Sequence, residues 1–381
     1  MRVIEINFVI SRRFPTPFII PTFTSMKKYN FYAGPSILSE YTIEKTAEAV
    51  KDFAGTGLSL LEVSHRSKEF VAVCDQARDL VKDLLHVPDT HEVVFLGGGA
   101  SLQFCMAPYN FLGTKAAYLD SGTWASNAIK EAKCFGEALV VGSSKSENYS
   151  CLPKGYEVPS DVDFFYYCTN NTIFGTQLHE DLHVGVPTIA DMSSDIFSRP
   201  IDFSDYILLF AGAQKNLAPA GVTLIIVRKD ALGKLDRCIP TMLDYSTHVK
   251  KESMFNTPPV LPIFSALKTL EYYKSLGGVE AIQEQNQQKA QLLYNEIDSN
   301  PFFKGTVTCK DDRSVMNVCF VMNDGKEALE SEFNSFAASR GMVGIKGHRS
   351  VGGFRASIYN AMTLEGVQAL VDCMKEFAQT H

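Results

Sequence analysis

The sequence predicts an α/β protein: a mainly parallel sheet covered by helices on both faces, followed by a smaller α+β unit. Three observations carry this. Short strands of near-continuous apolar composition recur between residues 92 and 227, the texture of strands buried on both sides. Helix-length segments separate them. After about residue 260 the texture changes to long helical patterns around a single strand.

In chain order, SEYTIEKTAEAVKDFAG (39–55) reads as a helix closed by Gly55, and EFVAVCDQARDLVKDLLHVP (69–88) as one that stops before Pro88. EVVFL (92–96) is a strand running into GGGAS. AAYLD, EALVVG, DFFYYC, TIAD, YILLFAG and VTLIIV complete the strands. IFSALKTLEYYKSLGG and GVEAIQEQNQQKAQLLYNEIDSN form one long helical stretch over 263–300, the natural joint between the two parts. SVMNVCFVM follows as a strand, then the helices EALESEFNSFAASRG and LEGVQALVDCMKEFAQTH. No internal repeat or low-complexity tract occurs.

Composition narrows the function classes. The 381 residues are 45% hydrophobic and 21% charged, with a net charge of −7. Such a chain buries a large core and offers no basic footprint for nucleic acid. No apolar run approaches the roughly 20 residues of a membrane helix. Nine cysteines without CxxC spacing read as reduced thiols of a cytoplasmic protein, with neither a disulfide framework nor a metal site. Residues 1–25 carry three prolines, three arginines and one acid. They read as an extension before a working start at Met26, or as a targeting peptide, and lie outside the fold.

Candidate chemistry lies at strand ends, where open α/β sheets bind ligands. Gly97-Gly98-Gly99-Ala100-Ser101 is either a tight turn or a cradle in which backbone N–H groups and a helix start hold an anion. Asp120 ends the next strand, as a ribose-binding acid would in a nicotinamide-dependent dehydrogenase. Asp191 ends TIAD, where a buried acid needs a partner or caps the next turn. Lys215 stands between two strongly apolar strands in a loop of small residues. It either snorkels at the loop edge or loses hydration and becomes an amine nucleophile. Cradle, acid and lysine together suit pyridoxal 5'-phosphate: the lysine for the imine, the acid for the ring nitrogen, the glycines for the phosphate. Trp124, the one tryptophan, could stack on such a ring or serve the core.

From residue 28 to the end the chain resembles the phosphoserine aminotransferase family, class V aminotransferases of the fold-type I pyridoxal phosphate group. The strings that carry the resemblance, in order, are NFYAGPS, EVSHRSKEF, GGGASLQF, DSGTWASNAIKEA, SSDIFSRPIDF, AGAQKNLAPAG, SMFNTPP and GHRSVGGFRASIYNAM. The resemblance implies a seven-stranded, mainly parallel sheet in a large cofactor-binding domain over 42–282. It implies a small C-terminal domain over 283–381, with 26–41 packing on it.

It further implies that Lys215 is the Schiff-base lysine, that Asp191 pairs with the pyridine nitrogen, that Trp124 stacks on the ring, and that Thr172 lies near the ring hydroxyl. Gly99, Ala100 and Gln214 would bind the cofactor phosphate. Asn256 and Thr257 would reach that phosphate from the second subunit of a homodimer. Arg355 would take the substrate carboxylate, and His65, Arg66, His348 and Arg349 the substrate phosphate, partly across the dimer interface. Some family members carry an arginine directly after the glycine run; this chain has Ala100. The implied reaction moves the amino group between glutamate and 3-phosphohydroxypyruvate, giving O-phospho-L-serine and 2-oxoglutarate in serine biosynthesis. Phosphorylated hydroxythreonine, in pyridoxine biosynthesis, is a further substrate to consider. Another fold-type I aminotransferase or a lyase is the alternative.

Overall fold

A computed structural model describes residues 27–381, so the readings of residues 1–25 and of the start at Met26 fall outside the described residues. Strand β1 (Tyr29–Asn30) is followed by helices α1 (Glu40–Lys51) and α2 (Lys68–Leu85). Next come β2 (His91–Leu96), α3 (Gly99–Phe111), β3 (Lys115–Asp120), α4 (Thr123–Ala132) and β4 (Glu137–Ser143). Then β5 (Phe165–Cys168), β6 (Thr188–Asp191), β7 (Tyr206–Gly212) and β8 (Thr223–Arg228) follow without α-helices between them. Helices α5 (Tyr245–Lys250), α6 (Val260–Ser275) and α7 (Gly278–Ser299) precede β9 (Phe303–Gly305) and β10 (Asn317–Met322). The chain closes with α8 (Glu330–Ser339), β11 (Met342–Val343), β12 (Phe354–Ser357) and α9 (Leu364–Thr380).

Seven strands form one sheet in the order β2-β8-β7-β6-β5-β3-β4. All neighbours are parallel except β8, which runs against both β2 and β7. The chain therefore returns directly from β7 to β8, and Lys215 lies on that return. Alternation along β2 shows the two faces: Val93 and Phe95 join the core under α1, α2 and α6, whereas Val94 and Leu96 join the core under α3 and α4. A second sheet, β12-β10-β9, packs with α7, α8 and α9 around Phe303, Phe320, Phe333, Phe354 and Phe377. β1 pairs with β11, and Phe31 enters this same C-terminal core.

Local chemistry explains the element ends. Ser39 and Ser67 cap α1 and α2 by accepting from Thr42 N and Phe70 N. Helix α2 ends at Leu85, ahead of Pro88, with His86 in the left-handed region. Helix α1 stops short of Gly55, because Asp52 turns extended and its side chain accepts from Gly57 N at 2.9 Å. The stretch over 263–300 is two helices, not one. Gly277 and Gly278, at φ 102° and 85°, break it. Helix α7 then spans two cores, placing Val279 and Ile282 in one and Ala290, Leu293 and Ile297 in the other.

Candidate active site

The residues singled out at strand ends converge at the carboxyl edge of the parallel strands. Lys215 Nζ donates to Thr172 Oγ1 at 2.8 Å and stands 5.8 Å from the centre of the Trp124 ring. Arg355, from β12 of the smaller sheet, donates through Nη1 to the carbonyl of the same Thr172 at 3.0 Å. Asp191, at the end of β6, is 7% exposed and accepts from Ser193 N at 2.9 Å. Asp191 is thus both a local turn acceptor and a charge beside Lys215.

Burial and charge oppose each other here. Loss of hydration lowers the Lys215 pKa, while the Asp191 and Asp195 charges raise it and Arg355 lowers it further. Part of the lysine side chain opens to the cleft, yet the surrounding protein is dense enough that burial dominates at the amine. The Asp191 carboxyl is pushed up by burial and pulled back down first by Lys215, then by Ser193. A poorly hydrated amine beside a buried acid can exist partly as free base, the form that attacks a carbonyl or takes a proton.

The glycine run opens α3 with its first N–H groups uncapped by any side chain. Gly98 and Gly99 take φ 95° and 70°. A methyl group on Gly97 or Gly99 would meet only open space, so the uncapped N–H groups face room for a ligand. Gln214 and Ala100 are half-buried nearby in sequence, beside Lys215 and Gly99 respectively. Asn256 and Thr257 line a cavity of about 290 Å³ with Gly97 and Gly98 of the same chain. Lys215, Asp191 and Trp124 are not among its lining residues. The Trp124 indole N–H is buried without a partner.

The cationic residues divide into two groups. His348 feels the charges of Arg355 and Arg349, which with burial hold its pKa below the ordinary histidine value. Arg355 of β12 and Arg349 are thus the two positive charges felt at His348. Arg349 is exposed, and His348 Nδ1 is 2.7 Å from Ser350 Oγ. His65 and Arg66, in the loop before α2, have no hydrogen bond or ion pair to these three residues among the described residues. Arg66 is exposed, and His65 Nε2 is buried without a partner.

Asp120 has another task than the one a dinucleotide site would give it. Its carboxylate accepts from Ser126 Oγ at 2.7 Å, Ser143 Oγ at 2.8 Å and Tyr149 OH at 3.2 Å, so the nicotinamide reading loses its ribose acceptor. The connections from β5 to β6 to β7 are irregular, where helix-length spacing suggested helices. Their residues are spent on the site wall: Asn170 bonds Ser194 at 2.8 Å and Asn317 at 2.7 Å.

Sequence reasoning also missed the segment Ala33–Ser36 as part of the site. Ser36 N donates to Gln214 O at 3.0 Å, Ser36 Oγ donates to Lys215 O, and a methyl on Gly34 would fall 3.4 Å from Lys215 Cγ. The available signal was the Gly-Pro-Ser turn, which gives no hint of its distant partner.

Comparison with known proteins agrees with this geometry. The model of the family described as aminotransferase class-V matches residues 28–370. A phosphoserine aminotransferase of Parabacteroides distasonis is 66% identical over 93% of this chain and 100% of its own length. The solved phosphoserine aminotransferase from Bacillus circulans subsp. alkalophilus is 43% identical, covers 93% of this chain and 99% of its own, and superposes with a TM-score of 0.89. A pyridoxal phosphate-bound phosphoserine aminotransferase from Trichomonas vaginalis is 37% identical, covers 92% and 100%, and has a TM-score of 0.88. With the family model matched over most of the chain and relatives of high identity spanning their full length, the chain belongs to the aminotransferase class-V family.

Proposed function

We propose that this protein transfers the amino group between glutamate and 3-phosphohydroxypyruvate, yielding O-phospho-L-serine and 2-oxoglutarate, with pyridoxal 5'-phosphate as cofactor. The observation that carries the reading is the Lys215–Asp191 pair at the strand ends, with the Thr172 hydroxyl on the amine and Arg355 on the Thr172 carbonyl. High identity to phosphoserine aminotransferases over their full length supports the substrate assignment.

The residues fit the cofactor. The uncapped start of α3 at Gly98–Ala100 and the neighbouring Gln214 suit its phosphate. Asp191 suits a protonated ring nitrogen, Trp124 a flat ring face, and Thr172 the ring hydroxyl. When bound, the cofactor supplies an aldehyde that takes the amino group and a ring that accepts the electron pair left by a departing α-proton.

The chain's own residues do the rest. Lys215 Nζ, whose pKa burial lowers, would take the proton from the substrate α-carbon and deliver it to carbon C4′ of the cofactor. Thr172 Oγ1 accepts a hydrogen bond from the free Lys215 amine at 2.8 Å. Arg355 grips the α-carboxylate with its planar fork. Arg349 and His348 take the substrate phosphate, joined by His65 and Arg66 of a second copy in a homodimer. Asn256 and Thr257 extend toward the cofactor phosphate of that second copy. Since Ala100 stands where an arginine occurs in some relatives, phosphate selection rests on the 348–349 pair and on 65–66. Nine unpaired cysteines support a reducing, cytoplasmic setting, and no described helix is long and apolar enough to cross a membrane.

The visible spectrum of the purified protein tests the reading. Cofactor-loaded protein should show an imine band that glutamate converts to the amino form, and phosphohydroxypyruvate should restore it. An unchanged spectrum overturns the proposed reaction. Equal use of hydroxypyruvate lacking the phosphate overturns the proposed specificity.

A further inference from the structure

Helix α7 carries a lysine on its buried face. The stripe Val279, Ile282, Asn286, Lys289, Ala290, Leu293 and Ile297 faces inward, and Lys289 is 2% exposed. A lysine there is costly unless every donor is matched. Among the described residues no carboxylate lies within ion-pairing distance. Nζ donates instead to three main-chain carbonyls: Ile358 at 3.0 Å, Tyr359 at 2.8 Å and Met362 at 2.9 Å. An ammonium has three donors and no acceptor, so the match is complete. Burial alone pulls its pKa down to about 7; the three carbonyls bond the charged form and oppose that pull.

Those carbonyls belong to the turn after β12, which touches the amine site on several sides. Arg355 lies just upstream on the same strand. Asn360 N donates to Asn216 Oδ1 at 3.1 Å, and Asn216 directly follows Lys215. Asn360 Nδ2 reaches the Phe197 carbonyl at 3.1 Å, and Asn360 Oδ1 accepts from Asn286 of α7 at 2.8 Å. Tyr359 OH donates to the Ala33 carbonyl at 2.7 Å, next to the Gly34 that packs on Lys215. Lys289 supplies three of the four side-chain hydrogen bonds from α7 to this turn, Asn286 the fourth; an apolar residue of equal size would leave the Ile358 and Met362 carbonyls unmatched, while Tyr359 O keeps the Met362 N–H at 2.8 Å.

We propose that Lys289 is a positioning residue for amino transfer: its buried ammonium fixes the 358–362 turn and thereby sets Arg355 and the Asn216–Lys215 pair against one another. This rests on the proposed transaminase reading of the site. Lys289 touches neither substrate nor cofactor, so its effect is geometric. Displacing the turn moves the carboxylate fork relative to the amine, and small displacements of that kind weaken substrate alignment strongly.

The test compares cofactor-loaded wild type with Lys289→Met. The KM for glutamate should rise about tenfold while kcat falls less than about threefold, because carboxylate alignment is lost and the amine remains. Hydrogen exchange followed by mass spectrometry should quicken about tenfold in 354–362 and 213–218 and stay unchanged in β7. A lower melting temperature with unchanged KM, or exchange raised equally in every segment, overturns the proposal. Should Lys289→Met fail to accumulate folded, Lys289→Gln, which keeps two donors, is measured in the same way, and an unchanged KM there is equally fatal. The exchange readout needs no turnover. If wild type itself ignores glutamate, the reaction assignment fails, while exchange in 213–218 still decides the role of Lys289.

Discussion

Asp191 and Lys215 each oppose what burial does to the other: Lys215 is the largest charge holding the Asp191 carboxyl ionised, and Asp191 the largest holding the Lys215 amine protonated. Neither group would keep its charge as well alone in so poorly hydrated a place. The pair is thus a matched unit, and its members should respond to each other's removal.

Asp191→Asn removes the negative charge that supports the Lys215 ammonium, so the amine pKa should fall below its already lowered value. In cofactor-free protein, acylation of Lys215 followed against pH should show a midpoint moved to lower pH. Turnover by the loaded enzyme should drop at least about a hundredfold, since the ring nitrogen loses its acid partner. A midpoint that stays in place would mean the two charges do not sense each other.

His348 sits below the ordinary histidine pKa because of burial and the Arg355 and Arg349 charges. A bound phosphate dianion reverses that balance and favours the protonated ring, so binding takes up a proton. The KM for phosphoserine should therefore rise as pH increases through the histidine range, beyond the trend from the substrate's own ionisation. His348→Gln should flatten this extra slope and leave the glutamate KM profile alone. Parallel profiles for wild type and variant would remove His348 from phosphate recognition.

Arg199 and Asp181 form a buried ion pair at 2.7 Å, each side chain under a tenth exposed, and Tyr206 OH donates to the same carboxylate at 2.8 Å. Asp181→Ala removes the carboxylate paired with the buried guanidinium, while the phenol keeps Tyr167 OH and Arg199 keeps the Pro200 carbonyl. Urea unfolding should report a loss of about 3 kcal/mol or more, as for other buried pairs deprived of one partner. A change below about 1 kcal/mol would indicate that water replaces the acid without difficulty.

Gly98 takes φ 95° at the start of α3, and a methyl there would run into Leu102. Gly98→Ala should misdirect the first N–H groups of the helix. Cofactor titration of the emptied protein should show affinity weakened at least about tenfold, with a stability loss of about 1–2 kcal/mol. Unchanged affinity would exclude this turn as the phosphate cradle.

The parts of the fold legible in the sequence are those with a local cause. Apolar strands such as YILLFAG and VTLIIV have a composition no other environment explains, and Ser67 and Pro88 bracket α2 by backbone chemistry alone. Lys215 was legible because its apolar surroundings are adjacent in sequence. Thr172 entered only through family resemblance, since its hydroxyl finds Lys215 across 43 positions. Ser36 and Lys289 are illegible for the same reason: their partners lie far away in sequence. The break at Gly277–Gly278 was written in the residues. The helical periodicities that continue on either side mask it.

The reversed strand β8 has a consequence for Lys215. In a purely parallel arrangement the segment leaving β7 would wander over a face of the sheet before rejoining it. Here Ala213–Val222 is tethered at both feet to adjacent staves of the same barrier, with a ladder rung joining Gly212 and Thr223 at its base. The reactive nitrogen is thereby carried on a short, closed bracket whose freedom is surrendered once, when the chain folds, and not again at every encounter with a substrate.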